Sequence, residues 1–439
     1  MSWLLNAIYA IGLVCATPWL AWRYCFQNKS RRGWGHKLFG RVPIRSGNHR
    51  CVWMHAVSVG EVNLLKPLIE GLKSLDPDLE VVISSSTETG FDLAAKKYPE
   101  QTLFFCPMDF TWAIKNVLRR VRPDALILSE LEVWPNLIRE TERSGAKVAI
   151  INARLGESSF RGYQRLSFLL RPVFEKLSLV ASQTEAYTER FCQLGVPKDN
   201  VSTTGNMKFD NANTDRNNPR SQEFAQLLPS QVKKVFLGGS TQAEEDLLLA
   251  DAFANINDPE LQLVLVPRHP ERVPALTGQL RRKGLAFHLR SSGKPISMDK
   301  PQDGLLPIMI VDVIGELGAW WGLADGGYVG GSMGSRGGQN MIEPAAYGIP
   351  VSFGPNTENF KQVVTMLLDR KAAQRVHDRS ELEAFIRQVV LNNSETQEMA
   401  QRARTLVLEQ QGVTARTLDL LSQMLDITAS TNSGKRSAA

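Results

Sequence analysis

The segment His55-Ala56-Val57-Ser58-Val59-Gly60-Glu61 sets a glycine and then a carboxylate just after a short apolar run. A glycine in such a turn lets backbone approach a ligand closely. A carboxylate at the mouth of the next helix could take a proton from an attacking hydroxyl. It could also do no more than complement the helix dipole, and the pattern alone favours this reading because acidic first-turn residues are common. Ser129-Glu130-Leu131-Glu132-Val133-Trp134-Pro135-Asn136 follows a second apolar run. Two carboxylates so placed are costly unless they have a partner or a task. They could orient a polar acceptor or hold a basic group, or Glu132 and Pro135 could simply start the next helix. In Gly205-Asn206-Met207-Lys208-Phe209-Asp210 the Lys208 ammonium could meet a phosphate or a carboxylate; the alternative is a solvated lysine.

Three further segments suit anion binding. Gly238-Gly239-Ser240-Thr241, followed by Glu244 and Glu245, reads as a nest at a helix N-terminus or as a capping box of Thr241 with Glu244. Pro267-Arg268-His269-Pro270-Glu271-Arg272 offers Arg268 on a loop stiffened by two prolines, for a bidentate phosphate contact or for solvent. The richest segment runs from Gly330 to Pro350 and includes Gly331, Ser332, Gly334, Gly337, Gly338, Asn340 and Glu343. Its glycine density suits backbone amides wrapping a phosphate, with Glu343 on the hydroxyls of a ribose. The alternative is a capping box of Asn340 with Glu343. The spacing fits neither a dinucleotide fingerprint nor a phosphate-binding P-loop. The histidines are dispersed and no CxxC occurs, so no metal site is expected. The one DxD, Asp76-Pro77-Asp78, falls in a helix-to-strand turn and reads as turn chemistry.

These segments need a scaffold that brings them to one edge. Short apolar runs at 52–57, 80–84, 125–128, 147–151, 179–182 and 201–204 alternate with amphipathic stretches such as 61–75, whose Leu64, Leu65, Leu68, Ile69 and Leu72 share a face. The alternation resumes with 235–237, 261–266, 308–311 and 327–329. It predicts an α/β fold of two doubly wound parallel sheets, whose ligands lie beyond the carboxyl ends of the strands. The expected divisions are an anchor with its basic flank at 1–40, a first domain at 41–210, a polar linker at 211–222, a second domain at 223–425 and a disordered tail at 426–439.

The net charge of +6 is concentrated. Residues 1–60 carry Arg23, Lys29, Arg31, Arg32, Lys37, Arg41, Arg45 and Arg50 and no acid; the rest holds 43 basic against 45 acidic side chains. A nearly neutral body argues against a nucleic-acid binder. Residues 3–22 form a mostly apolar run about as long as one bilayer core, followed directly by the basic cluster. That predicts an uncleaved N-terminal anchor with the body on the cytoplasmic face; an interfacial helix interrupted by Pro18 is the alternative. Five scattered cysteines suit a reducing compartment.

Taken together the motifs HAVSVGE, SELEVWPN, NARL, GNMKFD, GGST-QAEE, PRHPER, GELGAWWGLADGGYVGGS, GGQNMIEPAAYGIPV and FGPNTENF, in this order, resemble the bacterial Kdo (3-deoxy-D-manno-octulosonic acid) transferase family of lipopolysaccharide assembly. The resemblance runs from the N-terminus to about residue 420. It implies a GT-B-like fold with two Rossmann-like domains facing across a cleft, the first for a lipid A precursor and the second for CMP-Kdo. It implies an inverting glycosyltransferase at the bacterial inner membrane, with Glu61 as catalytic base, Glu130 as a second essential acid and Lys208 near donor and acceptor. Arg268, Ile314, Gly315 and the Gly331–Glu343 loop would bind CMP. No metal or other cofactor is implied, CMP-Kdo being a substrate. Gln242, Gln339, Asn356, Glu358 and Gly156 depart from the usual family residues, mostly on the donor side. The rival expectations are a related transferase or epimerase using a UDP-sugar, and a non-catalytic membrane-tethered binding module.

Overall fold

The apolar runs become parallel strands buried on both faces, which is why they read as near-continuous hydrophobic stretches. The computed structural model describes residues 3, 5–15, 32–296 and 305–427. The chain divides into two units, Met1–Asp210 with Gln411–Ala439, and Asn211–Gln410.

In the first unit β1 (Cys51–His55), β2 (Glu80–Ser85), β3 (Thr102–Phe105), β4 (Ala125–Ser129), β5 (Lys147–Ala153), β6 (Leu179–Ser182) and β7 (Val201–Thr203) form one parallel sheet in the order β3-β2-β1-β4-β5-β6-β7. Successive residues of β1 face opposite ways: Val52 and Met54 join one core cluster, Cys51 and Trp53 the other. The Val59–Leu75 helix covers the Val52 side with Leu64, Leu65, Leu68, Ile69 and Leu72. Pro67 removes the donor that would reach the Asn63 carbonyl, and the Lys97 ammonium reaches that oxygen at 3.5 Å and the Asn63 side chain at 2.8 Å. Asp76 caps the end of this helix, so the DxD lies in the turn before β2, away from the carboxyl edge.

The second unit repeats the plan with β8 (Lys234–Thr241), β9 (Leu261–Pro267), β10 (Phe287–Leu289), β11 (Ile308–Ile310), β12 (Gly326–Val329), β13 (Val351–Phe353) and β14 (Gln374–Arg375), in the order β10-β11-β9-β8-β12-β13-β14. All its neighbouring strands pair in parallel.

Two expected boundaries are corrected. The second unit ends at Gln410, not 425, because the Val413–Leu425 helix buries Val413, Leu421 and Leu425 in the first unit's core. Ile427, expected in the tail, belongs to that core as well; residues 428–439 lie outside the described residues. The linker is also shorter than 211–222: the Pro219–Ala225 helix begins within it, and Phe224 stacks on Trp320 with ring centroids 5.0 Å apart.

The expected anchor falls partly on residues 16–22, outside the described residues. Among the described residues no helix is long and apolar enough to cross a membrane. Residues 5–15 are helical, and their polar face is held by the first unit. Asn6 donates to Thr111 at 2.7 Å, and Tyr9 donates to Asp109 at 3.1 Å. Ile8, Ile11 and Val14 point the other way and are more than half exposed.

Candidate active site

In the first sheet the strand order reverses between β1 and β4. Ligands of open α/β sheets bind at that switch point, beyond the strand ends. Glu61 follows β1 and Glu130 follows β4, so both acids singled out in the sequence sit there.

Glu61 lies in the first turn of the Val59–Leu75 helix, as the dipole reading has it, and there it closes a capping box with Ser58. Its carboxylate accepts from the Val57 amide at 2.9 Å and the Ser58 hydroxyl at 2.8 Å. Burial nevertheless pushes its pKa up, and the nearby Glu130 charge adds to the rise against those hydrogen bonds. The fixed carboxylate is thus more basic than an ordinary glutamate.

Glu130 takes a left-handed backbone conformation, φ 57°, which costs energy in a residue with a Cβ. Its side chain meets the Lys208 ammonium at 3.2 Å. Of the two carboxylates Glu130 does hold a basic group, and Lys208 is not a merely solvated lysine. The Met207–Phe209 turn that carries Lys208 is fixed by Asn152, whose side-chain oxygen accepts from the Met207 amide at 3.1 Å.

Two more side chains of the selected segments, His55 and Glu132, join this cluster. His55 is fully buried, and burial pushes its pKa down to about 4. Its Nδ1 lies 2.9 Å from the Ser84 hydroxyl. Its Nε2 lies 4.0 Å from Glu132, which is not an ion pair because the imidazole is neutral. Glu132 accepts from the Trp134 indole at 2.6 Å, and its pKa is raised by burial, with Glu61 and Glu130 adding to the rise. The HxxxxxE and ExE spacings were the only sequence signals for these two. Nothing in a sequence says that a strand-end histidine will be wholly enclosed.

The depressed pKa of His55 has a consequence for stability. An unfolded histidine titrates near ~6.5. The folded protein resists protonation down to about 4. The contribution is complete above the unfolded pKa and is lost as pH falls from ~6.5 towards the folded value, on the order of 3 kcal/mol. Denaturant unfolding from pH 7 to 4 should therefore show a shallower acid loss in His55→Gln than in wild type. Parallel curves would remove His55 as the cause.

The second sheet reverses between β8 and β12. Here the structure changes how the glycine motifs are understood. Gly238 and Gly239 lie inside β8 rather than in a phosphate-binding turn. A Cβ on Gly239 would come within 2.3 Å of the Trp321 ring, as would one on Gly327. These glycines make room for a tryptophan. Ser240 is bulged at φ 55° where the register with β9 shifts.

The amides of Gly331, Ser332 and Met333 do not point to an open anion site. They donate to the Glu245 carboxylate at 2.7, 2.9 and 3.0 Å. The Ser332 hydroxyl is also buried, donating to the Val329 carbonyl at 2.7 Å and accepting from the Gly354 amide at 2.8 Å. The expected wrapping of a phosphate by Gly331 and Ser332 is therefore corrected: both shape the loop from within. The capping box of the Ala243–Ile256 helix involves Gln242 and Glu245 rather than Thr241 and Glu244.

The other selected residues remain open to a ligand. Arg268 is exposed after β9 with no side-chain partner among the described residues, while Arg272 pins its loop by donating to the Thr241 carbonyl at 2.8 Å and pairing with Asp246 at 3.2 Å. Gly337 and Gly338 both have positive φ, 79° and 81°, which carries the chain back to Asn340. Asn340 donates to one Glu343 oxygen at 3.0 Å, leaving the other without a donor among the described residues. Burial raises the Glu343 pKa. Ile314 is 83% exposed beside Gly315, whose carbonyl accepts from Arg220 at 3.2 Å. Glu316 next to it pairs with Arg290 at 3.0 Å. Among the described residues no three His, Cys, Asp or Glu side chains gather as a possible metal site.

Comparison with known proteins places the chain in a family. Residues 29–211 match the family model described as 3-deoxy-D-manno-octulosonic-acid transferase (kdotransferase). A 3-deoxy-D-manno-octulosonic acid transferase of Bordetella pertussis is 31% identical over 439 aligned positions, covering 96% of this chain and 99% of that protein. A bifunctional glycosyltransferase/methyltransferase of Fusobacterium nucleatum is 30% identical over 77% of this chain, which spans about half of it, 52%. The solved UDP-GlcNAc 2-epimerase of Neisseria meningitidis bound to UDP-GlcNAc shares the fold, with a TM-score of 0.57 at 12% identity, over 85% of this chain and all of that one. The fold is thus the α/β architecture of GT-B glycosyltransferases and related epimerases, and the chain belongs to the 3-deoxy-D-manno-octulosonic acid transferase family of glycosyltransferases.

Proposed function

We propose that the protein transfers Kdo from CMP-Kdo to a lipid A precursor, with inversion at the anomeric carbon and Glu61 as general base. One observation carries the mechanism: a buried carboxylate of raised pKa, fixed by a capping box, stands at the β1/β4 switch point beside the Glu130–Lys208 pair. Glu61 takes the proton from the acceptor hydroxyl as that oxygen attacks the anomeric carbon. The bond from that carbon to the CMP phosphate oxygen breaks, and CMP leaves with the electron pair. Attack opposite the leaving group inverts configuration. Lys208, already beside an acid, stabilises charge near the reacting groups. Arg268 and Glu343 in the second unit meet the CMP phosphate and ribose, with Ile314 and Gly315 beside the base.

The acceptor is a lipid, and the N-terminal helix suits a membrane surface. Asn6 and Tyr9 fasten it to the first unit while Trp3, Ile8, Ile11 and Val14 are exposed. An interfacial helix with an apolar outer face and a basic flank binds anionic bilayers. We place the protein on the cytoplasmic face of the inner membrane.

The test is transfer by the purified full chain, with CMP-Kdo and tetraacylated lipid A precursor, in the presence of EDTA. Product with or without EDTA is the expected result; an intact donor would overturn the reading and turn attention to UDP-sugars. The pH profile adds a check. A general base works only when deprotonated, so the rate should fall on the acid side as pH drops through a pKa above the usual carboxylate range. A rate that stays flat down to pH 4 would remove Glu61 from that role.

A further inference from the structure

The nest formed by Gly331, Ser332 and Met333 is occupied by the protein itself. Glu245 is 1% exposed and accepts five hydrogen bonds. One carboxylate oxygen takes the Gly331 amide at 2.7 Å and the Gln242 amide at 2.8 Å. The other takes the Ser332 and Met333 amides and the Tyr328 hydroxyl, the last at 2.9 Å. Every donor points at an acceptor-only group, so the buried charge is satisfied from all sides.

The placement matters more than the number of bonds. Glu245 stands on the helix that follows β8, and three of the four amides it gathers, those of Gly331, Ser332 and Met333, follow β12. These are the two strands at which the second sheet reverses. Asp246, the next residue, accepts from the Thr241 hydroxyl and pairs with Arg272, which fastens the loop carrying Arg268. The first turn of one helix therefore ties together the ends of β8, β9 and β12.

We infer that Glu245 is a positioning residue for the donor: it takes the place a phosphate holds in other nests and fixes the loop that presents Gly337, Gly338, Asn340 and Glu343. This rests on reading the second unit as the nucleotide site. The donor phosphate is then met by the Arg268 side chain rather than by the Gly331–Met333 amides.

Glu245→Gln tests the inference. Whichever way the new amide is turned, its NH2 faces at least two donors, so the loop cannot keep its shape. Binding of CMP to the full chain, measured by calorimetry, should weaken at least tenfold. The KM for the sugar donor should rise with it, while the KM for the lipid acceptor and the acid limb of the rate stay as in wild type. Glu244→Gln removes the same charge from an exposed neighbour on the same turn and should bind CMP like wild type. Tyr328→Phe deletes one donor to Glu245 and keeps the ring, so it serves if Glu245→Gln fails to fold; a severalfold weaker CMP affinity with kcat retained is expected. A folded Glu245→Gln, or failing that Tyr328→Phe, whose CMP affinity stays within twofold of wild type overturns the inference. A wild type that binds UDP and not CMP overturns the donor reading alone, and the same variants then decide Glu245 against UDP.

Discussion

Glu61→Gln should lower kcat for transfer by roughly 10²–10⁴ while CMP binding stays unchanged. The substitution keeps the side chain's length and one oxygen to cap the helix, but it removes the carboxylate assigned to take the proton. The structure also sets a cost. Glu61 receives the Val57 amide on one oxygen and the Ser58 hydroxyl on the other. A glutamine can satisfy only one of these acceptor places, and the Ser58 hydroxyl can rotate while the Val57 amide cannot. Loss of this cap is worth ~1 kcal/mol of stability, against the ~3–5 kcal/mol in the barrier that the loss of rate represents. The two effects separate experimentally: unfolding reports the cap, and kcat reports the base. A variant as active as wild type would favour the rival view of a scaffold whose carboxylate only caps its helix. The geometry does not force a choice between capping and catalysis, since the capping bonds orient the same carboxylate whose burial raises its basicity.

How much of this was visible beforehand depends on the kind of residue. Strands buried on both faces, such as β1 and β4, are almost wholly apolar and could be read within a residue or two of their ends. β3, β10, β13 and β14 were not picked out. Three of these are sheet edges with exposed or half-exposed positions, and the fourth is three residues between Pro350 and Gly354, so little apolar pattern marks them. In the site, the sequence could place Glu61, Glu130 and Lys208 at strand ends. It could not show the Glu130–Lys208 contact, whose members are 78 residues apart. The glycine-rich motifs misled for a related reason. Glycine is required both where a ligand approaches backbone and where a side chain of the same protein does. At Gly239 and Gly327 the visitor is Trp321, and at the Gly331–Met333 amides it is Glu245.

The end of the chain carries the second large effect. A protein cut after Gln410 should lose several kcal/mol of stability in its first unit, although the missing residues follow the second. Val413, Leu421, Leu425 and Ile427 are each at most 8% exposed in the core that also holds the Val59–Leu75 helix. Their burial is worth about 1.5–3 kcal/mol apiece, partly offset by the ordering entropy of the deleted helix, against a domain stability of about 5–15 kcal/mol. The helix is fastened at both ends. Asp210 accepts from the Gly412 amide at 2.7 Å and the Thr414 amide at 2.5 Å, and Lys147 pairs with Asp426 at 2.8 Å. Arg416 donates to the Thr204 carbonyl at 2.8 Å. Hydrogen exchange distinguishes the two assignments of this segment. If it belongs to the first unit, removal strips protection from the Val59–Leu75 helix and from β6 and leaves β8 and β9 protected. The division at 425 drawn from the linear sequence predicts the reverse. Because Asp210 lies two residues from Lys208, the same cut should also loosen the Glu130–Lys208 pair, and transfer should fall even at temperatures where the shortened chain stays folded.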